Sequence, residues 1–129
     1  MTLLNAELHI NASILKENIC YLKNRIDKQS NFLAVVKADA YGHSLKKFVE
    51  KLDDCVDGYA LVRLDEALQV RDLSKKPILL MQGIYDDDEA LIARKKGFMC
   101  VLHTQEQIRT YSRNLENKNI WLKVNTGMN

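Results

Sequence analysis

Residues 32–43 read Phe32-Leu33-Ala34-Val35-Val36-Lys37-Ala38-Asp39-Ala40-Tyr41-Gly42-His43. The apolar run has the length of a buried strand, and it ends on a lysine. Side chains alternate along a strand, so Leu33, Val35 and Lys37 share one face while Ala34 and Val36 take the other. A lysine where a buried strand emerges into a pocket is desolvated. That disfavours the ammonium form and leaves an amine able to attack an aldehyde or to act as a base. On position alone the competing reading is a lysine whose stem snorkels past the strand edge.

Moving outward, further short apolar runs begin near Tyr59, Ile78, Met99 and Ile120. Successive runs are separated by roughly 20 to 26 residues, the length of a strand, a helix and two tight connections. The repeat is a βα unit. Between the runs, Leu64, Ala67, Leu68 and Arg71, then Ala90, Leu91 and Lys95, then Ile108, Tyr111 and Leu115 fall at helical spacing. Ser44, Asp65 and Asp86 stand where N-caps belong, and Thr104 with Gln107 has the spacing of a capping box. Gly58 and Gly97 precede strands; Gly42, Gly83 and Gly127 follow them. Ahead of the repeat, Leu3 to Ile10 alternates like a strand. Asn11 to Ile26 then carries Ile14, Asn18, Ile19, Leu22 and Ile26 along one helical side.

The 129 residues are 47% hydrophobic with one proline and five glycines, which suits one domain with an ordinary core and excludes disordered and fibrous classes. Nineteen basic residues against seventeen acidic ones leave a net charge of +2, with the lysine pairs scattered among acids. No nucleic-acid footprint results. Apolar runs fall far short of the ~20 residues a spanning helix requires, and no secretion signal opens the chain, so the expectation is a cytoplasmic protein away from membranes. Cys20, Cys55 and Cys100 are odd in number and widely spaced, fitting small hydrophobes better than a disulfide or metal site. The acidic run Asp86-Asp87-Asp88-Glu89 reads as a helix start rather than a metal site, and His103 as a solvated loop residue. No metal is expected.

The string from Ala34 to His43 resembles the pyridoxal-phosphate attachment segment of alanine racemases. Trp121-Leu122-Lys123-Val124-Asn125-Thr126-Gly127-Met128 resembles that family's fifth-strand segment, and Ala60 to Ala67 and Pro77 to Met81 match it more loosely. Right-handed βα crossovers leave an open doubly wound sheet or part of an eight-fold barrel. The resemblance implies the barrel. The expected fold is therefore α/β, a partial (β/α)8 TIM-type barrel of about five parallel strands with intervening helices, preceded by an N-terminal strand and helix. A complete barrel needs about 200 residues or more, so residues 1–129 are expected to be the truncated N-terminal part of the cofactor-binding barrel domain, without the C-terminal β domain.

The resemblance also implies roles. Lys37 would carry pyridoxal 5'-phosphate as a Schiff-base lysine and exchange a proton on one face of the substrate, alanine, for peptidoglycan synthesis. A tyrosine from the second domain of a partner subunit, absent from this sequence, serves the other face, so the parent enzyme is expected to be a homodimer and this chain inactive alone. Tyr41 would contact the phosphate, against the plainer role of an aromatic lid. Met81 would line the cofactor pocket, against core packing. Lys123 would be carbamylated and hold an arginine beyond the last residue. Ser44 stands where the family usually has glycine, and Asn125 where it usually has aspartate, which leaves the local charge balance open. The rivals are another fold-type III pyridoxal-phosphate enzyme or binding protein and a receiver-like signalling domain. The second needs clustered acids at its first and third strand ends, where this chain offers Lys37 with Asp39 and Met81-Gln82-Gly83.

Overall fold

The computed structural model describes residues 7–114 and 120–127, the side chain of Asn114 excepted. Helix α1 (Ala12–Lys23) precedes strand β1 (Leu33–Val35), a short left-handed turn α2 (Lys37–Gly42) and helix α3 (Leu45–Leu52). Then β2 (Gly58–Leu61), α4 (Leu64–Leu73), β3 (Ile78–Leu80), α5 (Asp87–Lys96), β4 (Met99–Leu102), α6 (Gln105–Asn114) and β5 (Ile120–Leu122) alternate. All five expected strands form, each within one residue of its expected start.

The strands pair in parallel in the order β1-β2-β3-β4-β5. A doubly wound sheet reverses direction at a switch point, and this order has none. The receiver-like alternative falls on that observation. Four strand spacings in a flat sheet would hold β1 and β5 about 19 Å apart. Yet Leu33 of β1 and Trp121 of β5 line a common recess of about 410 Å³. The sheet is therefore curled, as in an arc of a barrel.

Alternation decides the two faces. Ala34 and Val36, Tyr59 and Leu61, Ile78 and Leu80, Cys100 and Leu102 are buried beneath the helices with Val49, Leu52, Ala67, Val70, Ala90 and Ala93. The opposite, concave face carries Leu33 and Val35, and Val35 is 42% exposed. Five strands do not close on themselves, and the concave side is open along both edge strands.

Four local expectations change. Residues 7–10 form no strand, and residues 3–6 lie outside the described part, as do Leu115 and Met128. Helix α1 is rotated from its predicted stripe: of that stripe Ile19 does meet the core, joined by Leu15, while Ile14, Leu22 and Ile26 are exposed. Two ion pairs accompany the rotation. Lys16 reaches Asp54 at 3.0 Å and Lys23 reaches Asp57 at 2.8 Å, so the packed face must carry both lysine stems. The N-cap position of α4 belongs to Arg63, not Asp65, which instead accepts two hydrogen bonds from the Arg63 guanidinium. The cysteines also divide: Cys100 is a core residue as expected, but Cys20 is exposed and Cys55 is half-buried beside Asp54.

Asp86 does cap α5, accepting the Glu89 N–H at 2.8 Å. The Thr104 hydroxyl accepts the Gln107 N–H at 3.1 Å, and Gln107 Oε1 of the side chain accepts the His103 N–H at 3.0 Å, a capping box shifted by one residue. No helix among the described residues is long and apolar enough to cross a membrane.

Candidate active site

β1 stops at Val35, although Val36 still donates its N–H to Ala60 at 3.0 Å. At Val36 the backbone leaves extended geometry (φ −126°, ψ 28°), so Lys37 stands at the exit of the strand. It is half-buried. Among the described residues no carboxylate forms an ion pair with it.

The next four residues wind left-handed: φ is 52° at Ala38, 54° at Asp39, 53° at Ala40 and 56° at Tyr41. Gly42 continues at 81° and Ser44 follows at 67°. For residues with a Cβ this hand costs roughly 1 to 2 kcal/mol each, so the surroundings must hold it. The holding contacts are visible. Asp39 accepts the Leu45 N–H at 2.7 Å, taking the capping role expected of Ser44, whose side chain makes no cap bond. Glu66, in the first turn of α4, accepts the Asp39 N–H at 3.3 Å. The Ala40 carbonyl receives the His43 N–H at 3.1 Å and lies 2.9 Å from His43 Nδ1.

Tyr41 projects from this turn and is 58% exposed. Met81 follows β3, its N–H bonded to Leu61 at 2.8 Å, with a half-buried side chain. Lys123 follows β5, its N–H bonded to Leu102 at 2.9 Å, and is exposed. All four residues singled out in the sequence thus follow strand carboxyl ends, where barrel enzymes gather their chemistry. A recess of about 540 Å³ at the ends of β2 and β3 is lined by Arg63, Asp65, Leu68, Gln82 and Tyr85. Lys37 is not among the residues that line it.

The sequence reading missed Glu66. Its signal was present: in Arg63-Leu64-Asp65-Glu66 the glutamate occupies the third helical position, where it ordinarily returns a hydrogen bond to the N-cap. Here it reaches the lysine's turn instead.

Residues 10–129 match the family model described as alanine racemase, N-terminal domain. The alanine racemase of Mannheimia succiniciproducens is 40% identical over 126 residues, covering 95% of this chain and 35% of that protein. That of Haemophilus influenzae is 36% identical over 126 residues, covering 95% and 35%. Among solved structures, the biosynthetic alanine racemase of Pseudomonas aeruginosa superposes with a TM-score of 0.80 at 34% identity, covering 88% of this chain and 32% of that one. A histidine racemase from Leuconostoc mesenteroides gives 0.76 at 26% identity, covering 92% and 33%. The chain spans about a third of the length of the curated relatives it matches.

Proposed function

This chain belongs to the alanine racemase N-terminal domain family, and from that premise we propose that it is the N-terminal part of the barrel of a pyridoxal-phosphate amino-acid racemase. The reaction of the whole protein is the interconversion of L- and D-alanine, in the cytoplasm, by a homodimer. The observation that carries the reading is an amine at the end of β1 without a carboxylate partner among the described residues. The two nearby acids are engaged elsewhere, Asp39 with the Leu45 N–H and Glu66 with the Asp39 N–H. An amine locked in an ion pair would be a poor nucleophile. This one is not locked, so the donor set fits an aldehyde cofactor.

When bound, pyridoxal phosphate supplies an electron sink that stabilises negative charge at the amino-acid α-carbon. Lys37 would hold that group through its amine, and the same amine is placed to take or return a proton at the substrate α-carbon on one side. Tyr41 would donate its hydroxyl to the phosphate, and Met81 would line the cofactor pocket. Lys123 would carry a carbamate, whose negative charge orients a cation beside the ring. The histidine racemase among the structural neighbours supports a second reading, in which another amino acid is the substrate of the same site.

Addition of pyridoxal phosphate should give the yellow Schiff-base absorbance. Borohydride reduction followed by peptide mapping should place the modification on Lys37, and Lys37→Ala should remove both signals. An equally yellow, equally modified Lys37→Ala protein ends the assignment. Racemisation assays of the whole protein with alanine, serine and histidine then separate the substrate readings.

A further inference from the structure

We infer that Glu66 is a positioning residue for the Lys37 amine, acting through the left-handed turn between them. This rests on the cofactor reading of Lys37 and adds to it a residue from a different βα unit.

The turn is the argument. Ala38, Asp39, Ala40 and Tyr41 all adopt a hand that side-chain-bearing residues avoid, directly after Lys37. Unsupported, this segment would relax to ordinary backbone angles and carry the Lys37 backbone with it. It is pinned at Asp39 in two directions. The Asp39 carboxylate ties the turn forward to the first N–H of α3 at 2.7 Å. The Asp39 N–H is held laterally by Glu66 Oε1 at 3.3 Å, from the first turn of α4. Among the described residues the lateral tie is the hydrogen bond that runs from the turn itself to the neighbouring β2-α4 unit, adding to the core packing of Ala40, so it helps fix where the lysine stands relative to the barrel wall.

Glu66 has given up a local bond to do this. In the third helical position a glutamate side chain can return to the backbone N–H of its own N-cap. Its second oxygen, Oε2, is buried and has no hydrogen-bond partner. A buried carboxylate oxygen without a partner costs stability, which makes the side chain a poor choice for holding the helix alone. The arrangement is accounted for if the oxygen on Asp39 is the one that matters. Glu66 is next to Asp65 and three residues from Arg63, yet its bond crosses to another unit rather than joining theirs.

The test uses the whole chain and three proteins: wild type, Glu66→Ala and Glu66→Gln. Glutamine keeps a carbonyl acceptor for the Asp39 N–H; alanine keeps none. Three quantities are measured: the pyridoxal-phosphate concentration that half-saturates borohydride-fixed modification of Lys37, the exchange rate of the Asp39 amide without cofactor, and the midpoint of thermal unfolding. Glu66→Ala should need about tenfold more cofactor, the worth of one hydrogen bond involving a charged group, and should exchange the Asp39 amide faster. Glu66→Gln should restore both towards wild type, even if its unfolding midpoint falls. Wild-type cofactor response or wild-type Asp39 exchange in Glu66→Ala overturns the positioning role, and so do equal losses in both variants. A wild-type chain that leaves Lys37 unmodified instead overturns the cofactor reading itself, an outcome recognisable because it does not depend on residue 66.

Discussion

Asp57 and Lys23 meet at 2.8 Å across the junction of α1 with the sheet, and the other Asp57 oxygen accepts the Phe32 N–H at 2.7 Å. One carboxylate thereby joins the end of α1, the approach to β1 and the start of β2. The Lys23 ammonium first, and the Phe32 N–H second, hold the Asp57 carboxyl below the usual carboxylate range.

That shift sets a direction for pH dependence. A carboxyl whose folded pKa is depressed binds protons more readily when unfolded. Its stabilising contribution is complete above the unfolded pKa of about 4 and disappears as pH falls through the lower folded value. Asp57→Asn should therefore flatten the acid limb of a plot of unfolding midpoint against pH, while leaving its slope near neutrality unchanged. An unchanged acid limb in the variant would show that other carboxyls govern acid unfolding.

Gly83 follows β3 with φ of 76°, and a Cβ placed there would collide with the carbonyl oxygen of Val101. Alanine at this position meets both a conformational penalty and rigid backbone from β4. The expected loss for Gly83→Ala is about 2 kcal/mol or more, read from the denaturant midpoint. Gly97→Ala is the control. Gly97 has φ of 67° but open space where its Cβ would go, so only the conformational part should appear there.

The contrast between these glycines also marks what the amino-acid sequence could reveal. Glycine at the ends of βα units was visible as punctuation, and the five strands were legible because their apolar runs recur at one spacing. The collision at Gly83 depends on Val101, eighteen residues away in the chain and contributed by another strand. The phase of α1 was lost for a similar reason. Ile14, Leu22 and Ile26 formed the more apolar stripe, but Lys16 and Lys23 were drawn to Asp54 and Asp57. At the candidate site, Lys37 and Tyr41 stood out by their neighbours, whereas the left-handed turn between them did not. Ala38 and Ala40 carry no local preference for that hand and Asp39 only a weak one, and the bonds that hold it come from Leu45 and from Glu66 in another unit.

The three cysteines should separate kinetically towards a thiol reagent. Burial pushes the Cys100 thiol up to about 12, with the charge of Glu89 adding to the effect. The thiolate is the reactive form, so Cys100 should be inert near neutral pH until the chain unfolds. Cys55 is also raised, by partial burial and by Asp54. Cys20 is exposed and should react first. Mass mapping after brief labelling should find the label on Cys20, and rapid labelling of Cys100 in the folded protein would mean that α5 and β4 open readily.

Tyr41 offers a test in which the fold is left untouched. Its ring is mostly exposed, and its hydroxyl has no hydrogen-bond partner among the described residues. Tyr41→Phe therefore should not move the unfolding midpoint measurably. If the hydroxyl donates to the cofactor phosphate, the variant loses one bond to a charged acceptor, about 1.5 to 3 kcal/mol, or roughly a tenfold to hundredfold weaker response to pyridoxal phosphate. Pyridoxal, which has the aldehyde but not the phosphate, supplies the internal comparison. Both proteins should modify at Lys37 equally with pyridoxal, because the missing bond has nothing to act on. An equal loss with pyridoxal and with its phosphate would place the effect of Tyr41 on the lysine's turn, and an absence of loss with either would leave the residue as a lid over the strand end.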